Sequence, residues 1–323
     1  MHIPDGLLSA PICVASAVLS AVAVGAAGSR SRARLGSRSV AWMGVTAAFV
    51  FAAQMLNFPV ASGTSGHVIG GVLAAALLGP SAAVIVMTSV LLLQCLVFAD
   101  GGLLALGANV LNMAVVQPLV GYAVYRALGG GSGGAAARRI AALAFGSWIA
   151  TVVAAAACAG ELALSGIVRA EPALAALLGV HAVIGLGEGA IAALVLATII
   201  RLRPELAAPS PGAPGGLGAS AALGLVGCVA LALFVSPFAC RWPDGLERAV
   251  AHLGVHPSHA RVAWPALLPD YTVPGVHSWR ATPLVAAAGT LVAFAVSGVL
   301  GICLAPRSRV RARRAATAPA SRA

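Results

Sequence analysis

The chain has 323 residues, 60% hydrophobic and only 9% charged, with a mean hydropathy of +0.96. These values exclude an ordinary soluble domain and point to an all-α polytopic membrane protein. The net charge of +11 comes from 20 basic residues, all of them arginine. They are spread over short loops and a tail, so they report membrane topology rather than a nucleic-acid surface.

The first six residues, Met1-His2-Ile3-Pro4-Asp5-Gly6, are a candidate metal chelator. A free amino terminus followed by histidine offers the amine of Met1, the amide nitrogen of His2 once deprotonated, and Nδ1 of the same imidazole. These close a five-membered and then a six-membered ring around a divalent cation, in one plane. Planar nitrogen ligation suits Ni(II) and Cu(II), and low-spin Co(II) to a lesser degree, whereas zinc prefers a tetrahedron. Pro4 pushes Ile3 to an extended conformation, and Pro4-Asp5-Gly6 reads as a tight turn. The plain alternative is that His2 follows the initiating methionine by accident. No basic segment precedes the first apolar run, which therefore does not read as a cleavable signal.

Runs close to the roughly 20 apolar residues that span a bilayer lie at about 7–28, 40–58, 67–79, 81–99, 102–126, 139–164, 174–200, 218–238 and 282–304. Nine spans are expected. The third is short and is parted from the fourth only by Gly79-Pro80-Ser81, so one kinked helix is the alternative there. With the amino terminus outside, nine crossings put fifteen of the 20 arginines on one side, in the loops after Arg30, Arg126 and Arg201 and in the carboxy-terminal tail. That side is cytoplasmic by the positive-inside rule, so His2 faces outward and the carboxy terminus inward, in an inner or plasma membrane. An eight-span arrangement breaks this sorting after the fourth run.

The Pro-, Gly- and Ala-rich stretch at 204–217 reads as a flexible cytoplasmic linker. It divides a seven-span unit, 1–203, from a two-span unit, 218–306, whose spans enclose an external loop; 307–323 is a basic cytoplasmic tail. Pro-Asp-Gly-Leu occurs at Pro4 and again at Pro243, which says no more than that each is a turn.

Polar residues inside apolar runs mark sites. In Gly63-Thr64-Ser65-Gly66-His67, the imidazole of His67 can be a fourth metal ligand, with the hydroxyls of Thr64 and Ser65 fixing its tautomer. The alternative is a helix-capping turn with an interfacial histidine. Gln54 and Asn57 share helical spacing and can line the same pocket; Asn109 and Asn112 have the same spacing, and plain interhelical hydrogen bonding is the alternative. His181 and Glu188, seven residues apart, read as a pair on one helical face, either a proton relay or a buried lock between helices. His252, His256, His259 and His277 in the external loop are weaker metal candidates, because Pro257 interrupts any helix that would align the first three. The chain has no HExxH and, lacking lysine, no Walker A motif, so it is neither an enzyme of those kinds nor a P-loop ATPase.

Taken in order, MHIPDGLL, QMLNFPV, GTSGHVIGG, ADGGLLALGANVLNM and HAVIGLGEG resemble the substrate-binding membrane subunit of cobalt and nickel energy-coupling factor transporters, the CbiM/NikM family, over residues 1 to about 203. WPDGLE at 242–247 resembles the small auxiliary N component, here fused. The resemblance implies an S-component-type bundle with an additional amino-terminal helix. It also implies a metal held near the outer face by the amine of Met1, the amide and imidazole of His2, and His67. Ni2+ or Co2+ is then cargo and no resident cofactor is needed. The implied partners are a transmembrane coupling protein (CbiQ/NikQ-like) and a cytoplasmic ATPase (CbiO/NikO-like), with no nucleic acid. Two other classes stay open: an ion-coupled secondary carrier using His181 and Glu188, and a non-transporting metal receptor or assembly factor.

Overall fold

In lipid every backbone polar group must be satisfied within the chain, which leaves the helix as the form for long apolar runs. The computed structural model, which describes residues 1–32, 35, 37–61, 63–131, 133–202, 217–255, 264–273 and 275–305, follows that rule with one hairpin added. The elements are α1 (Ala10–Arg32), α2 (Ser37–Gln54), β1 (Phe58–Ala61), β2 (Thr64–Gly66), α3 (Gly71–Leu78), α4 (Pro80–Phe98), α5 (Leu106–Asn109) running through a π turn (Val110–Val116) into α6 (Gln117–Ala127), α7 (Ala136–Leu164) and α8 (Ala170–Leu202). Then come α9 (Leu217–Phe234), the short α10 (Gly245–His252) and α11 (Ser278–Leu304). The linker up to residue 216 and the basic tail lie outside the described residues.

Among the described residues seven helices are long and apolar enough to cross a membrane, and the apolar part of α2, Ser39–Gln54, is shorter. The protein is a multi-pass membrane protein. Its helices are dressed accordingly: Val14, Val18, Leu19 and Val22 of α1 are exposed, while Ser16, Ser20, Ala27 and Ser31 turn inward. Small residues inside and large apolar ones outside is the arrangement that lets helices approach closely in lipid.

The third apolar run departs from expectation. It is neither a spanning helix nor half of a kinked one, because α3 has only 8 residues and at about 1.5 Å per residue reaches less than half of a bilayer core. Residues 67–70 are non-helical, with Gly70 at φ 84°. Gly79, at φ 84° and ψ 157°, turns the chain into Pro80 at the start of α4, a position that tolerates proline because its missing N–H has no partner there anyway. His67 and Asp100 both face His2, so the chain leaves the site through α3 and returns to it through α4.

Elsewhere helices meet through glycine. A Cβ on Gly146 of α7 would lie 2.7 Å from the carbonyl of Gly121 on α6, and one on Gly189 of α8 would lie 2.6 Å from that of Ala144. The two-helix unit after the linker packs on α2, with Phe294 of α11 against Gly44, Phe51 of α2 against Gly289, and Val45 against Gly224 of α9. Gly146→Leu is expected to force α6 from α7 and destabilise the bundle by about 1–3 kcal/mol, read as a lower melting temperature in detergent. An unchanged melting temperature would mean that these helices do not pack through this glycine.

Candidate metal site

The amino-terminal tip is bound into the bundle before any metal is considered. Gly6 sits at φ 87° in the expected turn. The Asn109 side chain clamps Ile3 from both sides, accepting its N–H at 2.7 Å and donating to its carbonyl at 3.0 Å. Gly102 N–H donates to the same carbonyl at 2.9 Å, and the Asp5 carboxylate accepts the N–H of Leu104 at 2.8 Å. A side chain at Gly102 would collide with Asp5, since its Cβ would stand 2.1 Å from Oδ1. The π turn begins directly after Asn109; such turns shift side-chain register and recur at functional sites.

This clamp places the Met1 amine, with the residue only 5% exposed, between two partners from distant parts of the chain. It donates to Nε2 of His67 at 2.8 Å and to Oδ2 of Asp244 at 2.6 Å. The other ring nitrogen of His67 faces the carbonyl of Val68 at 3.0 Å. A carbonyl only accepts, so Nδ1 carries the proton and Nε2 presents a lone pair. The His2 ring stacks on that of His67, centroids 5.3 Å apart, with Nδ1 facing Oδ1 of Asp100 at 3.1 Å. Burial, then the charge on the amine, pushes His67 down to about 3, and burial also lowers His2 against the pull of Asp100. Both imidazoles are therefore neutral. Burial by itself would raise the Asp244 carboxyl, but the amine beside it holds it well below the usual carboxylate range. A small cavity lined by Met1, His67, Thr151, His181, Ile184 and Asp244 adjoins these groups. Among the described residues no three His, Cys, Asp or Glu side chains are arranged to hold a metal.

Residues 2–206 match the family described as cobalt uptake substrate-specific transmembrane region, CbiM, and residues 219–306 match the PDGLE domain. The chain belongs to the CbiM family. It is a CbiM-type nickel or cobalt transport protein, not an enzyme, with a PDGLE domain joined to it. A putative fused nickel transport protein of Archaeoglobus fulgidus is 37% identical over 93% of this chain and 98% of its own length. The fused nickel transport protein of Rhodobacter capsulatus is 32% identical over 98% of this chain and 100% of its own. The crystal structure of a truncated transition metal transporter, 33% identical, superposes with a TM-score of 0.57 over 62% of this chain and 99% of its own.

The CbiM-type bundle brings Met1, His2 and His67 together, but it uses the remaining sequence candidates differently. Thr64 and Ser65 do not fix the His67 tautomer, a task taken by Val68, and they form strand β2 instead of a helix cap. Ser65 Oγ donates to the carbonyl of Trp242 at 2.7 Å, tying the hairpin to the fused loop. Gln54 donates to the carbonyl of Ile69 at 2.7 Å. Asn57 lies beyond the end of α2, so the spacing shared with Gln54 is not realised, and its backbone carbonyl takes the N–H of Cys240. Asn109 holds the tip, while Asn112, turned by the π register, donates to Glu161 at 2.7 Å.

His181 and Glu188 share a face but do not pair. Nδ1 of His181 faces the Leu177 carbonyl at 2.8 Å, and its ring lines the cavity beside Gly245. The two oxygens of Glu188 accept the backbone N–H groups of Ile69 and Gly70, at 2.5 and 2.8 Å, with Gln117 at 3.3 Å. These are the backbone groups left open where α3 fails to extend. His252 and His277 are exposed and join no cluster among the described residues; His256 and His259 lie outside them. Sequence reading missed Asp100 and Asp244. The pattern Asp244-x-x-Glu247 was the available signal, because it is a capping box, and it caps α10 here. Glu188→Gln should leave one of the two backbone donors facing an amide NH2, destabilise the fold by about 1–3 kcal/mol and loosen metal retention through His67. Wild-type melting and nickel binding in this variant would show that the carboxylate does not hold the loop.

Proposed function

We propose that this chain captures Ni(II), or Co(II), at the outer face of the membrane through Met1, His2 and His67, as the metal-binding subunit of an ATP-driven importer of the energy-coupling factor type. The observation that carries this is the 2.8 Å separation of the Met1 amine from Nε2 of His67. Ligands about 2.0–2.1 Å from a metal stand about 2.9 Å apart at neighbouring corners of a square, against about 3.3 Å in a tetrahedron. A divalent ion can therefore replace the proton between these two nitrogens with little movement of either. His2 then exchanges Asp100 for the metal at Nδ1 and adds its amide nitrogen. Planar coordination, together with the two fused relatives named for nickel, tips the choice toward Ni(II).

Members of this family work with other transporter subunits. We assign the energy step to a transmembrane coupling protein and a cytoplasmic ATPase, since a chain with no lysine has no P-loop of its own. The arginine-rich loops and tail fit a cytoplasmic face opposite the metal site. A proton-coupled carrier working through Glu188 is disfavoured, because that carboxylate is committed to the backbone of Ile69 and Gly70.

An amine and an amide nitrogen ligate a metal only after giving up a proton, so binding weakens as pH falls. Adding one residue before Met1, or retaining its formyl group, should abolish nickel binding as completely as His2→Ala. The loss should exceed the 10- to 100-fold typical of a missing outer-shell partner. His67→Ala should only weaken retention. Equal nickel affinity in the extended protein, by competition with a chromophoric chelator, would remove the amine from the ligand set. In liposomes the purified chain should bind nickel but accumulate it with ATP only after coupling and ATPase subunits are added. ATP-driven accumulation by the chain alone would overturn the division of labour.

A further inference from the structure

We propose that Asp244, carried by the fused PDGLE unit, is the counter-charge and positioning residue of the metal site, so that the site is completed only when the two units are docked. This rests on the Met1 amine being a metal ligand. A divalent ion bound by a neutral amine, two neutral imidazoles and one deprotonated amide leaves a net single positive charge on the chelate. Met1, His67 and the side chain of His2 are buried, and a buried charge needs a paired opposite charge. Asp244 already answers the same charge in the metal-free protein, where it faces the ammonium at 2.6 Å. Exchange of protons for metal thus leaves the charge opposite Asp244 unchanged, so the carboxylate acts on affinity by orienting the amine rather than by its charge alone.

The carboxylate is held for this task by its own helix. Oδ1 accepts the N–H groups of Leu246 and Glu247, both at 2.8 Å, which caps α10 and leaves Oδ2 for the amine. Turning the carboxylate away would uncap the helix. The next residue fixes the approach of the loop: a Cβ on Gly245 would stand 2.8 Å from Ile184 and 3.0 Å from His181, so only glycine lets the backbone come this close to α8. Ser65 N–H donates to the carbonyl of Pro243 at 2.9 Å on the other side. A coordinated primary amine keeps two N–H bonds, and one directed at Oδ2 aims the nitrogen lone pair at the metal, as outer-shell carboxylates do for metal-bound histidine. Asp100 does not duplicate this role. It is 26% exposed against 16% for Asp244, accepts the Tyr271 hydroxyl at 2.7 Å, and faces the imidazole instead of the amine.

The test uses the full-length chain in detergent and nickel alone, measured by chelator competition. Asp244→Asn keeps the shape and the helix cap, since asparagine caps as well as aspartate, and sets an uncharged amide NH2 where Oδ2 accepts from the amine. Its nickel affinity is expected to fall about 10- to 100-fold, and Asp244→Glu to regain part of it. If Asp244→Asn proves unstable, Asp244→Ser supplies a cap without a carboxylate and takes its place. Wild-type affinity in Asp244→Asn would reduce the residue to a helix cap, and tighter binding would mean that it holds the amine away from the metal; either overturns the proposal. Failure of the underlying reading has a different signature, since a protein extended before Met1 would then bind nickel as well as wild type whatever stands at 244.

Discussion

A chain terminus bearing a charged amine is an awkward thing to bury, and the architecture around Met1 follows from doing so. The amine needs an opposite charge, which Asp244 supplies, and an acceptor, which His67 supplies. Its own chain must also be kept from fraying, the usual fate of terminal residues. The clamp of Asn109 and Gly102 on Ile3 and the grip of Asp5 on the start of α5 meet that need. The two Pro-Asp-Gly turns thereby acquire a shared logic: each aspartate accepts backbone N–H groups at or near the start of a short helix, Asp5 beside α5 and Asp244 on α10.

Most of the polar side chains inside the apolar runs serve backbone groups rather than chemistry. Glu188 and Gln54 stand in for the helical hydrogen bonds that the non-helical segment after His67 lacks, and Gln117 donates to Glu188. Irregular backbone at such depth is tolerated only inside protein and only when satisfied. In return, the break lets the chain turn His67 toward the amino terminus, which a continuous helix from the hairpin onward would not do.

The fused unit reaches each of the three residues proposed to hold the metal. Asp244 faces Met1, Tyr271 reaches His2 through Asp100, and Trp242 and Pro243 fasten Ser65 two positions before His67. Below these loops the unit rests on α2 through glycine contacts along both of its helices. Joining the two units in one chain raises the effective concentration of these loops at the site by tethering.

Hydropathy determined the class and the positions of the long helices, because burial in lipid acts on each segment separately. That Met1, His2 and His67 belong to one candidate site was equally legible, since the tip's nitrogens lie within two consecutive residues and His67 stands in a motif of its own. The short α3 was not: hydropathy averaged over Val68–Leu78 is the same whether its N–H groups bond within a helix or to a carboxylate more than a hundred residues later. Nor was the role of Asp244, whose local pattern spoke only of a turn and a cap. Its meaning lies in a 2.6 Å contact with a residue 243 positions away, and pairings across such distances are decided by helix packing, which alone sets which loops meet above the bundle.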